Sequence, residues 1–132
     1  MPIERPSREI QRMTASAVLV VAAGGAVGSV IRFALKEWLS RPGDPFPWPT
    51  FLANLIGSMV LGFALIACRD RPTLLQLLGV GFCGGLTTFS TFGVETIQLL
   101  QQNRFGLAAI YVLASVVAGL GGAWLGMKIA SP

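Results

Sequence analysis

The chain contains no histidine and few charges. Of its 132 residues, 10 are Lys or Arg and 6 are Asp or Glu, 12% in all, about half the share usual in a soluble domain. Lacking histidine, it lacks the side chain most often used as a general base or metal ligand. No nucleophile stands beside a base, so nothing points to an enzyme. The two cysteines, Cys68 and Cys83, lie in or beside apolar runs. They read as small buried hydrophobes rather than a disulfide or a metal pair. A net charge of +4 would suggest nucleic acid in a soluble protein. Here the basic residues gather at the ends of apolar runs, where membrane topology accounts for them and no nucleic acid is implied.

What is present is apolar: 53% of residues are hydrophobic and the mean hydropathy is +0.67. The fold class that follows is an all-α integral membrane protein. A transmembrane helix needs about 20 apolar residues, and four such segments fit, over about 14–35, 50–68, 74–100 and 107–127. A polar N-terminal tail, 1–13, precedes them and reads as a tail rather than a cleaved signal. Residues 40–49 hold four prolines and a glycine, which forbid helix there. The chain is a single four-span domain in contact with the lipid bilayer. Four helices hardly enclose a solute path and still pack, so a homo-oligomer is expected.

The third segment carries the densest signal. Gly79 to Phe92 holds four glycines, four hydroxyl side chains and three phenylalanines. A Gly-Gly pair followed by Thr-Thr predicts a helix broken near its centre. Unwound backbone survives in a membrane only where buried in protein or lining a polar cavity, and such breaks recur as ion-holding devices. Two other segments carry polar stripes. Thr50, Asn54 and Ser58 share one helix face at spacing four, as do Tyr111 and Ser115. Gly24 and Gly28, and Ala118, Gly122 and Gly126, set small residues at the spacing of close helix packing. Arg32 near the end of the first segment reads either as a snorkelling side chain or as a cation at the mouth of an anion path. Glu95 is the only acid well inside an apolar run, in a structural or vestibular place.

With four spans, one side of the membrane would hold six basic residues (Arg5, Arg8, Arg12, Arg69, Arg71, Lys128) and the other four (Arg32, Lys36, Arg41, Arg104). So weak a bias specifies orientation poorly. Insertion both ways would give an antiparallel dimer, the geometry that single-chain transporters reach through inverted repeats.

The stretch Gly81-Phe82-Cys83-Gly84-Gly85-Leu86-Thr87-Thr88-Phe89-Ser90-Thr91-Phe92 resembles the signature of the Fluc-type (CrcB) fluoride channels. Gly24 to Phe33 and Thr50 to Ser58 match the same family, and the resemblance runs over about residues 20 to 127. It implies a dual-topology antiparallel homodimer in a bacterial plasma (inner) membrane. It further implies two passive fluoride-selective pores that confer fluoride resistance by export, and a structural sodium ion (Na+) at the dimer centre. That sodium would be held by the backbone carbonyls of Gly84 and Thr87 from both subunits. Phe89 and Phe92 correspond to pore-lining phenylalanines, and Asn54 to an asparagine whose amide donates to fluoride. Tyr111 and Ser115 correspond to polar positions along the pore. Where some members carry a further hydroxyl one turn on, this chain has Gly119, so water or backbone would supply the far end. Arg32 and Glu95 match family positions without an implied fluoride contact.

Two other functions remain open at this point. A small multidrug-type proton-coupled exporter would need a membrane carboxylate, for which Glu95 is the candidate. A non-transporting assembly subunit would use only the small-residue faces, which the polar stripes argue against.

Overall fold

The structure, a computed structural model, describes residues 14–131. The basic tail 1–13, with its contribution to the charge bias, lies outside the described residues. All regular structure among the described residues is helical.

Helix α1 (Ala15–Leu39) begins where the Thr14 hydroxyl accepts from the Ala17 N–H at 3.2 Å, a side-chain cap on an otherwise orphaned donor. It continues past the apolar run through Lys36 and Glu37 because nothing interrupts it before Pro42 and Gly43. Pro42 disfavours helical backbone at the residue before it, and Gly43 takes φ +86°, which glycine alone adopts without strain. Helix α2 (Trp48–Ala67) starts behind Pro47 with Pro49 in its first turn, where a missing N–H costs nothing.

The third crossing runs from Pro72 to Gln101. A short α3 (Pro72–Leu75) widens into a π-helix over Gln76–Cys83 and returns to one α-turn, α4 (Gly84–Leu86). Thr87 (φ −79°, ψ 156°) and Thr88 (φ −152°, ψ 122°) are extended, and α5 (Phe89–Gln101) resumes with Thr88 as its N-cap. Asn103, at φ 59°, turns the chain into α6 (Phe105–Ala130).

All four crossings, of 25, 20, 30 and 26 residues, are long and apolar enough to span a membrane. At 1.5 Å per residue even α2 reaches about 30 Å, the thickness of a hydrocarbon core. The chain is a multi-pass membrane protein.

Two close helix pairs hold the bundle: α2 on α6, and α1 on the first half of the third crossing. In lipid there is no hydrophobic drive between helices, so association depends on backbones approaching closely. Glycine makes this possible on both seams. A Cβ on Gly28 would fall 2.8 Å from the Leu86 nitrogen, and one on Gly126 2.8 Å from the Phe63 nitrogen. Cys68 and Cys83 are buried, free thiols. Leu86 and Tyr111 are the largest fully buried side chains. Most large apolar side chains instead point outward, as a lipid surrounding requires.

The Gly126→Ala variant should lose about 1–3 kcal/mol of stability and fall in thermal midpoint in detergent. Gly121→Ala, whose Cβ would meet nothing within 4 Å, should be neutral or gain up to ~1 kcal/mol from helix propensity. Equal midpoints for the two would refute close backbone approach on the α2–α6 seam.

Candidate functional site

The extended pair Thr87–Thr88 takes main-chain groups out of the helical ladder, in a layer where water cannot satisfy them. The Thr87 N–H keeps a helical bond, and the Thr88 groups find a side chain instead. The Thr87 N–H and the Thr87 hydroxyl both donate to the Cys83 carbonyl at 2.9 Å. The Thr88 N–H donates to Asn54 Oδ1 at 2.7 Å, and Asn54 Nδ2 donates to the Thr88 carbonyl at 3.1 Å. The Asn54 amide thus pairs with Thr88 as a neighbouring strand would. An amide carries two hydrogens, so one remains uncommitted. From the other side Arg32 Nε donates to the Gly85 carbonyl at 3.0 Å. The Thr88 hydroxyl donates to Thr91 Oγ1 at 3.1 Å and accepts from the Thr91 N–H at 3.2 Å, capping α5.

Toward the end of α5, Glu95 accepts from two hydroxyls. Thr50 donates to Oε1 at 2.9 Å and Tyr111 donates to Oε2 at 2.7 Å. Both donors are buried, Tyr111 completely. Among the described residues the one ion pair is Arg69–Asp70, on the surface, so these hydroxyls and not a cation hold the carboxylate. It opens onto a cavity of about 260 Å³ beside Lys36, Arg41, Asp44 and Gln98. The stripe on α2 is therefore divided. Thr50 serves Glu95, Asn54 serves Thr88, and Ser58 Oγ lies 3.7 Å from where a Cβ on Gly119 would stand.

Phe89, at 84% exposure, projects from the surface of the chain. Its ring centroid is 5.8 Å from that of Phe92, and Phe92 is 5.1 Å from Tyr111. The rings of Phe89, Phe92 and Tyr111 thus pack in one continuous row. One turn along α6 from Tyr111, Ser115 Oγ is buried without a hydrogen-bond partner in the described residues. Gly84 and Thr87 line a second cavity, of about 420 Å³, together with Asn54, Ser58, Cys83 and Phe89. A Cβ on Gly84 would meet nothing within 4 Å, so that side of the chain is open. Among the described residues no three His, Cys, Asp or Glu side chains converge as metal ligands. Any cation here would rest on carbonyl oxygens, a donor set that suits hard ions.

Three partnerships are not visible in spacing: Thr50 with Glu95, Arg32 with Gly85, and the ring of Phe46 on Tyr111 at 5.4 Å. Each joins segments far apart in the chain. The only sequence signal was the expense of placing Glu95 and Arg32 in an apolar layer, which demands partners without naming them.

The family model described as CrcB-like protein, Camphor Resistance (CrcB), matches residues 19–127. The chain is 46% identical over 114 residues to a Rhodococcus jostii protein named fluoride-specific ion channel FluC 2, covering 86% of this chain and 98% of that one. It is 47% identical over 115 residues to FluC 1 of Mycolicibacterium paratuberculosis, covering 83% and 86%. With FluC of Novosphingobium aromaticivorans it shares 44% over 123 residues, 89% of this chain and 96% of the relative.

Asn54→Ala leaves the Thr88 N–H and carbonyl unpaired, at ~1–3 kcal/mol for each buried group. The variant should therefore unfold at a distinctly lower temperature in detergent. Asn54→Asp, which keeps the acceptor for the Thr88 N–H but sets a carboxylate against its carbonyl, should also lose stability. An Asn54→Ala protein as stable as the parent would show that the amide is not a structural partner of Thr88.

Proposed function

This chain belongs to the CrcB family of fluoride channels, and from that premise we propose that it is a passive, fluoride-selective ion channel of a bacterial plasma membrane. The observation that carries this reading is the buried Ser115 hydroxyl without a partner, on the stripe that begins at Tyr111. A buried polar atom left unpaired costs ~1–3 kcal/mol, a cost that an anion accepting from the hydroxyl offsets. The positive edges of the Phe89 and Phe92 rings extend the same weakly donating surface, while the Tyr111 hydroxyl stays on Glu95. Asn54 adds its uncommitted amide hydrogen. None of these groups is a formal cation. Conduction needs binding strong enough to admit an ion and weak enough to release it. At the far end Ser58, beside Gly119, supplies the hydroxyl that Gly119 does not.

The working unit in this reading is an antiparallel homodimer inserted with dual topology, with two pores. A single chain leaves Phe89 exposed and Gly84 facing open space, and a second copy would cover both. The third crossing acts as a broken helix whose Gly84 and Thr87 carbonyls turn toward the partner. Gly84 and Thr87 fit a sodium ion by the chemistry of their donors, although two carbonyls per chain are too few for one. The site is complete only with both subunits. When bound, the ion supplies a positive charge that holds the facing carbonyls together.

Passive transport suffices for export. Hydrogen fluoride is a weak acid that crosses membranes neutral and dissociates in a near-neutral cytoplasm, which traps the anion. A potential negative inside drives fluoride outward with ~2.3 kcal/mol per charge per 100 mV, and no coupling domain is needed. The proton-coupled exporter reading assigns Glu95 the opposite role, a carboxylate that must load and unload.

Liposomes carrying the purified protein should release fluoride quickly and retain chloride under an imposed potential. Phe89→Ile removes one aromatic edge and should slow fluoride release about tenfold, with the dimer intact by size exclusion. Fluoride retention by the assembled wild-type protein would sink the channel reading. Glu95→Gln should preserve selectivity for fluoride over chloride. Organic-cation uptake by the wild type, driven by a proton gradient and abolished in Glu95→Gln, would establish the exporter instead.

A further inference from the structure

The loop between α1 and α2 sends one side chain inward. Phe46 is half-buried, and its ring lies edge-on to Tyr111, with centroids 5.4 Å apart and planes at 83°. On its other sides it packs on Trp48 (4.5 Å) and Phe51 (5.6 Å). Tyr111 is thereby held between Phe46 from the loop and Phe92 from α5. The loop is built to hold Phe46 in place. Prolines flank it on both sides, restricting its backbone. Its N–H donates to Asp44 Oδ1 at 3.1 Å, its carbonyl accepts from the Trp48 N–H at 2.8 Å, and the Asp44 N–H returns to the Arg41 carbonyl at 3.2 Å. Phe46 also walls the cavity onto which Glu95 opens.

We propose that Phe46 is a positioning residue for the transport path. It fixes the Tyr111 ring so that the phenol hydroxyl stays on Glu95 and the Tyr111–Ser115 stripe keeps its alignment. This rests on the channel reading only for its effect on flux. A tyrosine ring has two side-chain torsions to fix. Phe92 restrains one side of this ring, and without Phe46 the other side would face the cavity. The edge-to-face contact is directional, so the ring of Phe46 restrains angle as well as volume. The loop thus sets the throughput of the path without touching the ion.

The chain has one tyrosine, so protein labelled with ¹³C at the phenol carbon reports Tyr111 alone. Phe46→Ala is expected to shift or broaden that resonance and to slow fluoride release from liposomes about three- to tenfold. Asp44→Ala, which removes the acceptor for the Phe46 N–H, should move both readouts the same way by less. Asp44→Asn, which keeps an oxygen there, should restore both. In a Tyr111→Phe background Phe46→Ala should slow release no further, the non-additivity expected of two residues acting as one unit. An unchanged Tyr111 resonance in assembled Phe46→Ala protein overturns the proposal, as does an equal loss of flux in both backgrounds. Where Phe46→Ala fails to assemble, the Asp44 pair decides: a resonance in Asp44→Ala identical to the parent overturns it. A wild-type protein that passes no fluoride defeats the channel reading alone, and the resonance still decides whether Phe46 orients the phenol.

Discussion

The pairing of the Asn54 side chain with the main chain of Thr88 is the constraint on which the rest of the bundle depends. Two extended residues in the middle of a membrane crossing leave an N–H and a carbonyl that water cannot reach. One amide side chain satisfies both, at 2.7 and 3.1 Å. This fixes the rotation and depth of α2 against the third crossing. Gly57, one turn on, leaves room for the Thr87 methyl, which a Cβ there would force to shift. With α2 placed, the seam of Gly62, Gly122 and Gly126 sets the depth of α6. The heights of Tyr111 and Ser115 follow from that seam.

Among the described residues, Arg32 and Glu95 are held by hydrogen bonds without an ion pair. Arg32 donates to the Gly85 carbonyl, a group the interruption frees from its helical partner. Glu95 takes hydrogens from Thr50 and Tyr111. Desolvating a charge is expensive, and hydrogen bonds to the charged form are the cheapest compensation where no counter-ion fits. Between Phe89 and Ser115 lie three aromatic rings and one unpaired hydroxyl. The fixed cations Lys36 and Arg41 stand at the cavity onto which Glu95 opens.

Much of this was legible in the residues. The four crossings follow from apolar runs of sufficient length, a bulk property that needs no partner. The small-residue seams were visible as spacing, since residues four apart share a helix face. The special character of Gly79 to Phe92 was visible as a clash between apolar context and residues that destabilise helix. The stripe Thr50, Asn54, Ser58 was legible as a face, but its division among Glu95, Thr88 and Gly119 was not. Three side chains on one face meet three different neighbours, and periodicity describes only the face. The π-helical widening over Gln76–Cys83 was equally hidden. It lies where α1 comes close to the third crossing, at Gly24 and Gly28.

The sequence alone determined that the chain lives in a membrane, how many times it crosses, where its loop lies and which stretch departs from regular helix. Those properties are sums over local composition and over one helix at a time. Only the tertiary structure decided that Asn54 braces Thr88, that Glu95 lies between Thr50 and Tyr111, and that a loop phenylalanine closes on the phenol. Each of these is a contact between groups tens of residues apart. In a low-dielectric layer every such polar group must find some partner, and the chain's polar residues alone do not say which. The choice falls to whichever helices can approach closely enough, and that is settled by glycine seams spread over the whole bundle.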